Sequence, residues 1–201
     1  MTRPLRADAR RNRERLLEVA SDAFTESGVD ASLEDIARRA GVGIGTLYRH
    51  FPSRDCLLEA VFRLNVDQLC DGAAELLEAL PPEQALDEWM RRFVGYVATK
   101  KGLAAHLKSV ISVDSTLFAY SHERMNATVA SLVDAAVASG GIRPDVDPTD
   151  LLHALSGVCL MADGPGWQAQ ACRISSLLMD GLRYQPNVVP RDRRDHVASS
   201  A

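Results

Sequence analysis

The 201-residue sequence lacks several features that mark whole classes of protein. No run of about 18 apolar residues is free of charge, so we expect no transmembrane helix. The amino-terminal segment is basic and has no apolar stretch of the kind found in signal peptides, and a cytoplasmic location is therefore expected. No useful run of alternating apolar and polar residues occurs, which disfavours β-strands and favours an all-α fold.

Closely spaced cysteines are also absent. Cys56, Cys70, Cys159 and Cys172 form no CxxC motif, and each lies in an apolar helical segment. This pattern favours four buried, reduced thiols, with a redox-sensing pair as the alternative. No nucleophile–base arrangement, glycine-rich phosphate loop or metal-ligand motif stands out, so we expect no enzyme activity, no metal and no cofactor.

Net positive charge is missing as well, since the formal charge at pH 7 is −4. That charge is distributed unevenly along the chain. Residues 1–54 hold ten arginines against eight acidic residues, for +2, and residues 55–201 therefore carry −6. Six of these arginines fall within residues 1–15. A basic module on an acidic body suits a protein that contacts phosphate at one end only.

Helical periodicity runs through most of the chain and predicts nine helices. Glycines and prolines separate them at the points where the apolar spacing breaks. The predicted bounds are about 9–27, 33–40, 44–50, 53–79, 83–100, 103–111, 116–138, 148–163 and 167–183. Residues 184–201 have little hydrophobic periodicity and are predicted to be a disordered tail.

The most informative segment is residues 32–54, which read SLEDIARRAGVGIGTLYRHFPSR. Ser32 is a suitable cap for a short helix. Gly41 interrupts the helical pattern, where a tight turn between two helices often needs a positive φ. Ala37 is small and Leu47 apolar, so two short helices can cross closely here. The outer face of the second helix is then free to enter a major groove, as in a helix-turn-helix.

That outer face carries side chains suited to DNA. The hydroxyls of Thr46 and Tyr48 and the ring of His50 can donate to phosphate oxygens. Ile44 can contact a thymine methyl group, and Arg49 can read guanine or hold phosphate. The competing interpretation is a small helix that merely carries solvated polar residues.

Neighbouring residues extend this candidate surface. Gly43 and Gly45 let the start of the second helix approach a duplex closely. Arg54, at the start of the following helix, can pair with phosphate, and the arginines of residues 3–11 can form an arm along the backbone or in a minor groove. For Arg38 and Arg39 we prefer the interpretation of a solvated face.

These residues resemble the tetracycline-repressor (TetR) family of bacterial transcription regulators over about residues 10–62. The matching segments are Phe24-Thr25-Glu26-Ser27-Gly28, Ser32-Leu33-Glu34-Asp35-Ile36-Ala37, Ala40-Gly41-Val42, Gly45-Thr46-Leu47-Tyr48-Arg49-His50-Phe51 and Leu57-Leu58. Gly43 departs from the pattern, because many members have serine there. With Arg49 and Ser32 added to the positions that the resemblance implicates, the candidate DNA-binding residues are Ile44, Gly45, Thr46, Tyr48, Arg49, His50, Arg54 and Ser32.

Beyond residue 62 the resemblance covers only the layout of a helical body. It implies a homodimer in which the last two helices of each chain form a four-helix interface, with candidate residues Leu151, Leu155, Val158, Trp167, Ile174 and Leu178. It also implies a small-molecule pocket within helices four to seven, with candidate linings Phe62, Trp89, Phe93, Tyr96, His106, Leu107, Val110, Phe118 and Met125. For both sets the alternative is an ordinary intramolecular core.

The sequence therefore predicts an all-α protein with three parts. Residues 1–54 are a helix-turn-helix DNA-binding domain with a basic arm, residues 55–183 a helical ligand-binding and dimerisation domain, and residues 184–201 the tail. We expect a sequence-specific repressor, released from a palindromic operator in double-stranded DNA by an unidentified small molecule. The alternatives are a helical enzyme, a DNA-binding protein controlled by a protein partner, and an activator.

Overall fold

The computed structural model describes the backbone of residues 3–110, 116–161 and 164–183, and within these it describes all side chains except those of 3–7, 98–102, 104–105 and 108–110. This part of the chain contains eight helices and no strand, which confirms the predicted all-α class. The helices are α1 (Arg3–Ser27), α2 (Leu33–Arg39), α3 (Ile44–His50), α4 (Arg54–Ala79), α5 (Pro82–Val110), α6 (Thr116–Ala138), α7 (Pro148–Met161) and α8 (Trp167–Arg183). The predicted tail lies outside the described residues.

Two helices are longer than the sequence pattern indicated. The segments predicted as 83–100 and 103–111 form one helix, α5, because an interior glycine such as Gly102 costs only about 1 kcal/mol relative to alanine. Leu103 and Leu107, which follow it, are buried and hold the second half of α5 in place. Likewise α1 begins at Arg3, so the basic segment predicted as an arm is helical from that residue onward.

Buried apolar side chains form two clusters. The first joins α1, α2, α3 and the first half of α4, and it includes Leu103 and Leu107 of α5 and Leu117 of α6. The second joins the remainder of α4 to α5, α6, α7 and α8. Tyr96 and Met125 are half-buried and pack against both clusters. The helix-turn-helix is therefore attached to the body by a shared seam of side chains.

The four cysteines are all free, and two of them agree fully with the predicted burial. Cys70 and Cys159 are buried and Cys172 is half-buried. Burial raises the pKa of the Cys70 thiol, because the charged thiolate is poorly solvated there. The prediction is wrong for Cys56, which is exposed, since it lies in the first turn of α4 while Leu57 next to it faces the core.

No helix among the described residues has the length and apolar character needed to cross a membrane.

Candidate nucleic-acid interface

The loop before α2 is fixed by contacts that the sequence did not reveal. Gly28 adopts a positive φ of 74° at the end of α1. The guanidinium of Arg54, at the start of α4, then donates from Nη1 to the carbonyl oxygens of Val29 at 2.8 Å and Ala31 at 2.7 Å. Arg54 is thus engaged inside the protein, and its predicted contact with phosphate would have to use its other N–H groups.

The amino terminus of α2 is capped by Ser32. Its Oγ accepts a hydrogen bond from the Asp35 backbone N–H at 3.2 Å and donates to Glu34 Oε2 at 3.1 Å. A serine cap of this kind satisfies one of the backbone donors that a helix leaves unpaired at its start. The observed role of Ser32 is therefore to start α2, and a DNA contact by Ser32 stays a prediction.

Gly41 makes the turn between α2 and α3 possible. Its N–H donates to the Arg38 carbonyl at 3.0 Å, and the Val42 N–H donates to the Ala37 carbonyl at 3.0 Å. This is a Schellman motif, in which the residue after the cap takes a left-handed conformation. Gly41 has the required φ of +66°, and a Cβ at this position would lie 3.3 Å from the Arg15 guanidinium.

One side of α3 is anchored and the other is free. Leu47 is fully buried, and Phe51, which caps the carboxyl end, is 2% exposed. Facing the other way, Tyr48 is 45% exposed and Ile44 is 36% exposed, and both rank among the exposed large hydrophobic residues of the chain. Gly45 and Arg49 are exposed too, whereas Thr46 and His50 are half-buried.

The exposed positions share one helix face, because 44 and 48, like 45 and 49, are four residues apart. A large apolar or aromatic side chain that protein does not cover is more informative than an exposed polar one. The same face also offers a guanidinium and a hydroxyl. Chemically, the arrangement can present apolar contact and hydrogen-bond donors together to the edges and backbone of a duplex.

Arg38 and Arg39 take part in ion pairs at the protein surface. Arg38 pairs with Asp35 one turn earlier on α2. Arg39 Nη1 lies 3.0 Å from Glu26 Oε2, which joins the end of α2 to the end of α1. Both arginines therefore have partners within the chain, in keeping with the interpretation preferred for them.

The predicted pocket residues are divided between the two cores. The rings of Phe62 and Phe118 meet edge to face with centroids 5.9 Å apart in the first cluster. Trp89 and Phe93 are buried in the second, where the Trp89 indole N–H donates to the Leu69 carbonyl at 3.1 Å. Trp89 thus behaves as a satisfied core residue, because its polar atom is already used.

The remaining pocket candidates lie nearer the seam. Met125 and Tyr96 contact both clusters, and burial raises the pKa of Tyr96. Leu107 is fully buried in the first cluster, and His106, half-buried, has Nε2 3.5 Å from Asp55 Oδ1 at the start of α4. The side chain of Val110 lies outside the described residues.

The predicted interface residues of α7 and α8 do not all face outward. Leu151 and Leu155 are buried within the subunit, which removes them from any surface that a second copy can reach. Val158, Trp167, Ile174 and Leu178 are half-buried. The sequence interpretation missed three exposed side chains on the same two helices, namely Leu160 at 66%, Met161 at 86% and Leu177 at 69% exposure.

Comparison with known proteins agrees with this geometry. Residues 16–61 match the family model for bacterial regulatory proteins of the tetR family, and residues 81–184 match the model for the carboxyl-terminal domain of SbtR-like transcriptional regulators. The chain belongs to the TetR family. It is a DNA-binding transcription regulator, and because TetR-family members are regulators rather than enzymes, the enzyme alternative is set aside.

Two solved TetR regulators are similar along most of their length. SCO0520 from Streptomyces coelicolor is 44% identical with a TM-score of 0.76, over 85% of this chain and 98% of that one. The TetR protein from Mycobacterium vanbaalenii is 36% identical with a TM-score of 0.73, over 90% of this chain and 100% of that one. A curated helix-turn-helix regulator from Staphylococcus aureus strain USA300 is 42% identical over 64 residues, which span 31% of this chain and about a third (35%) of that relative.

Proposed function

We propose that this TetR-family protein is a repressor that binds a palindromic operator as a homodimer and leaves it when a small molecule binds the helical body. The observation that carries the proposal is the free face of α3. Tyr48 and Ile44 stay exposed on a helix whose opposite side is fully anchored by Leu47. Such a face is suited to the major groove, with Tyr48, Thr46 and His50 directed to phosphates and Ile44, Gly45 and Arg49 near base edges.

The homodimer is supported by the apolar surface at the other end of the chain. Leu160 and Met161 end α7, and Leu177 lies on α8, all largely uncovered. Exposed apolar side chains of this size on adjoining helices are typical of protein–protein contact sites. A two-fold dimer through α7 and α8 would direct two copies of α3 to half-sites about 34–36 Å apart, one helical turn of DNA.

Release by a ligand is supported by the course of α4. This helix contributes Leu57, Leu58 and Val61 to the first core and Leu69 and Leu76 to the second. A molecule that binds among α4, α5 and α6 would shift α4 and carry the helix-turn-helix with it. DNA and ligand would then weaken each other's binding by the same factor, as linkage requires.

The experiment is selection of duplexes from a randomised pool by the purified full chain at about 0.15 M salt, where surface electrostatics are screened as in a cell. We expect a palindrome to be enriched. Tyr48→Ala should weaken binding to that palindrome about tenfold or more, the effect of losing a hydrogen bond to a charged phosphate worth roughly 1.5–3 kcal/mol, without changing the circular dichroism spectrum.

The control is Arg91→Ala, which truncates an exposed side chain on α5, away from α3. It should keep the operator preference of the unmodified protein. A wild-type protein that enriches no sequence, or a Tyr48→Ala variant that binds the palindrome as tightly as the wild type, would refute the proposed reading of DNA by α3. Placing the palindrome over a promoter ahead of a reporter then separates repression from activation by the sign of the change.

A further inference from the structure

We propose that Arg13 of α1 is a further phosphate-binding residue of the DNA interface, acting beside His50; the proposal rests on the operator-binding function above. Arg13 lies outside the helix-turn-helix and three turns into α1, on an exposed face. Its Cζ atom lies 5.1 Å from the centroid of the Phe51 ring. Phe51 directly follows His50 and caps the carboxyl end of α3, so this contact places Arg13 beside the end of α3.

The arginines near Arg13 on α1 differ from it in their partners. Arg10 Nε lies 3.4 Å from Glu14 Oε1, and Arg11 pairs with Asp8. Arg13 has no acidic partner among the residues whose side chains the structure describes. Its positive charge is therefore not neutralised by the protein itself, although it is held in one place by the ring of Phe51.

The contact with the Phe51 ring leaves the N–H groups of the Arg13 guanidinium available to bind a phosphate. A cation–π contact uses none of the five N–H donors of the guanidinium, and the described side chains give Arg13 no ion pair. The planar fork of these donors matches the geometry of a phosphate. Arg13 thus has the charge and the donors of a phosphate contact, beside the end of α3.

Arg13 and His50 line one groove of about 520 Å³ between α1, the turn after α3 and α4. The groove is also lined by two acidic residues, Glu59 and Asp67, and both have other partners. Glu59 Oε1 lies 3.3 Å from Arg63 Nη2, and Asp67 accepts a hydrogen bond from Tyr120. Neither acid is therefore paired with Arg13 within the described part of the chain.

The test is the salt dependence of DNA binding by the full chain. Each phosphate contact adds about 0.9 to the slope of log K against log salt concentration. Arg13→Gln should lower that slope by about 1 and weaken binding to the selected operator and to an unrelated duplex by the same factor. Arg13→Lys, which keeps the charge, should retain the slope but bind more weakly than wild type, because the planar fork of donors is lost.

The control is Arg92→Gln, the same change of charge at an exposed arginine of α5, where Arg92 Nε lies 3.2 Å from Glu88 Oε1. Equal effects of Arg92→Gln and Arg13→Gln, or an unchanged slope in Arg13→Gln, would overturn the proposal. A loss confined to the operator, with binding to the unrelated duplex unchanged, would also overturn it, since a phosphate contact carries no sequence information. Failure of the proposed function gives a different result, because the wild-type chain would then select no palindrome. The salt slopes of wild type and Arg13→Gln can still be compared on an unrelated duplex in that case.

Discussion

The glycines of the helix-turn-helix differ in what the protein fold requires of them. Gly41 needs its positive φ for the turn, and a side chain there would crowd Arg15. Gly45 lies inside α3, and a Cβ built on it meets no atom within 4 Å. The fold therefore accepts a side chain at position 45. A need for glycine at position 45 would therefore come from a molecule that binds against α3, and not from the fold.

Gly45→Ala is expected to stabilise the protein and impair DNA binding together. Alanine is favoured over glycine by about 0.8–1 kcal/mol in a helix interior. Gly45 is the second residue of α3, so the unfolding free energy measured in urea should rise by up to roughly that amount. Affinity for the selected operator should fall, because the added methyl group would hold α3 away from the base edges. Gly95→Ala on α5, where a Cβ also meets no atom within 4 Å, should stabilise the protein without altering DNA affinity.

An equal operator affinity for Gly45→Ala and Gly95→Ala would contradict the close approach of α3 to DNA.

At the residue scale, the sequence predicted some contacts and missed others. The cap at Ser32 and the turn at Gly41 were predictable, because both depend on neighbours within a few residues. The internal contacts of Arg54 were not, since its partners Val29 and Ala31 lie more than 20 residues earlier and are backbone atoms.

At the scale of elements, α4 is joined to α6 by a pair of polar contacts. Tyr120 on α6 donates its hydroxyl hydrogen to Asp67 Oδ1 at 2.5 Å, and Arg124 Nη2 donates to Asp71 Oδ1 at 2.5 Å. The four residues are spaced i, i+4 on both helices, so the contacts follow one another along the interface. They hold α4, which carries the helix-turn-helix, against the body from its outer side.

The Tyr120–Asp67 contact predicts a specific dependence of stability on pH. The hydrogen bond to the Asp67 carboxylate raises the pKa of the Tyr120 phenol. A group whose pKa is raised by folding stabilises the protein below its unfolded pKa, here about 10, and that contribution is lost as pH rises through the folded pKa. Wild type should therefore exceed Tyr120→Phe in unfolding free energy at pH 8, and the difference should shrink above pH 10.

Urea unfolding at several pH values measures this difference. Tyr48→Phe serves as the reference, because it removes a tyrosine hydroxyl for which the described part of the chain gives no hydrogen bond. A gap between wild type and Tyr120→Phe that stays constant from pH 8 to 11 would contradict the assignment. The sequence did not predict this contact, because no spacing rule relates residues 67 and 120 until the register of α4 on α6 is known.

The molecule as a whole presents two exposed apolar surfaces, which lie at opposite ends of the sequence. Ile44 and Tyr48 form the exposed apolar surface of α3, and Leu160, Met161 and Leu177 form that of α7 and α8. If the second is the homodimer interface, a charge placed there should abolish the dimer, because an unpaired charge is costly to bury. The same charge on α3 should leave the dimer intact.

Leu177→Glu is thus expected to sediment as a monomer at concentrations where wild type is a dimer, and to bind the palindrome far more weakly because only one half-site is held at a time. Ile44→Glu is the matched control and should remain a dimer while losing operator affinity. Sedimentation equilibrium with both variants gives the result. If Leu177→Glu remains a dimer, the interface does not include Leu177 and lies elsewhere on the protein.

How much of the architecture followed from sequence can be traced to particular helices. The amphipathic stripes predicted helices and their order correctly, because periodicity is local. They did not show that α5 continues through Gly102, since tertiary packing of Leu103 and Leu107 decides that. Nor did they show the orientation of α7, where Leu151 and Leu155 turn inward and leave Leu160 outside. Apolar stripes predict that a helix is buried somewhere, but not against which partner.

The passage of α4 through both hydrophobic clusters also bears on how the protein melts. The first cluster is completed by Leu57, Leu58 and Val61 of α4 and by Leu107 and Leu117 from the body. A fragment ending at residue 54 would lack these side chains and would expose the apolar sides of α1 and α3. The DNA-reading end therefore has little stability of its own, and the two ends are expected to unfold as one cooperative unit.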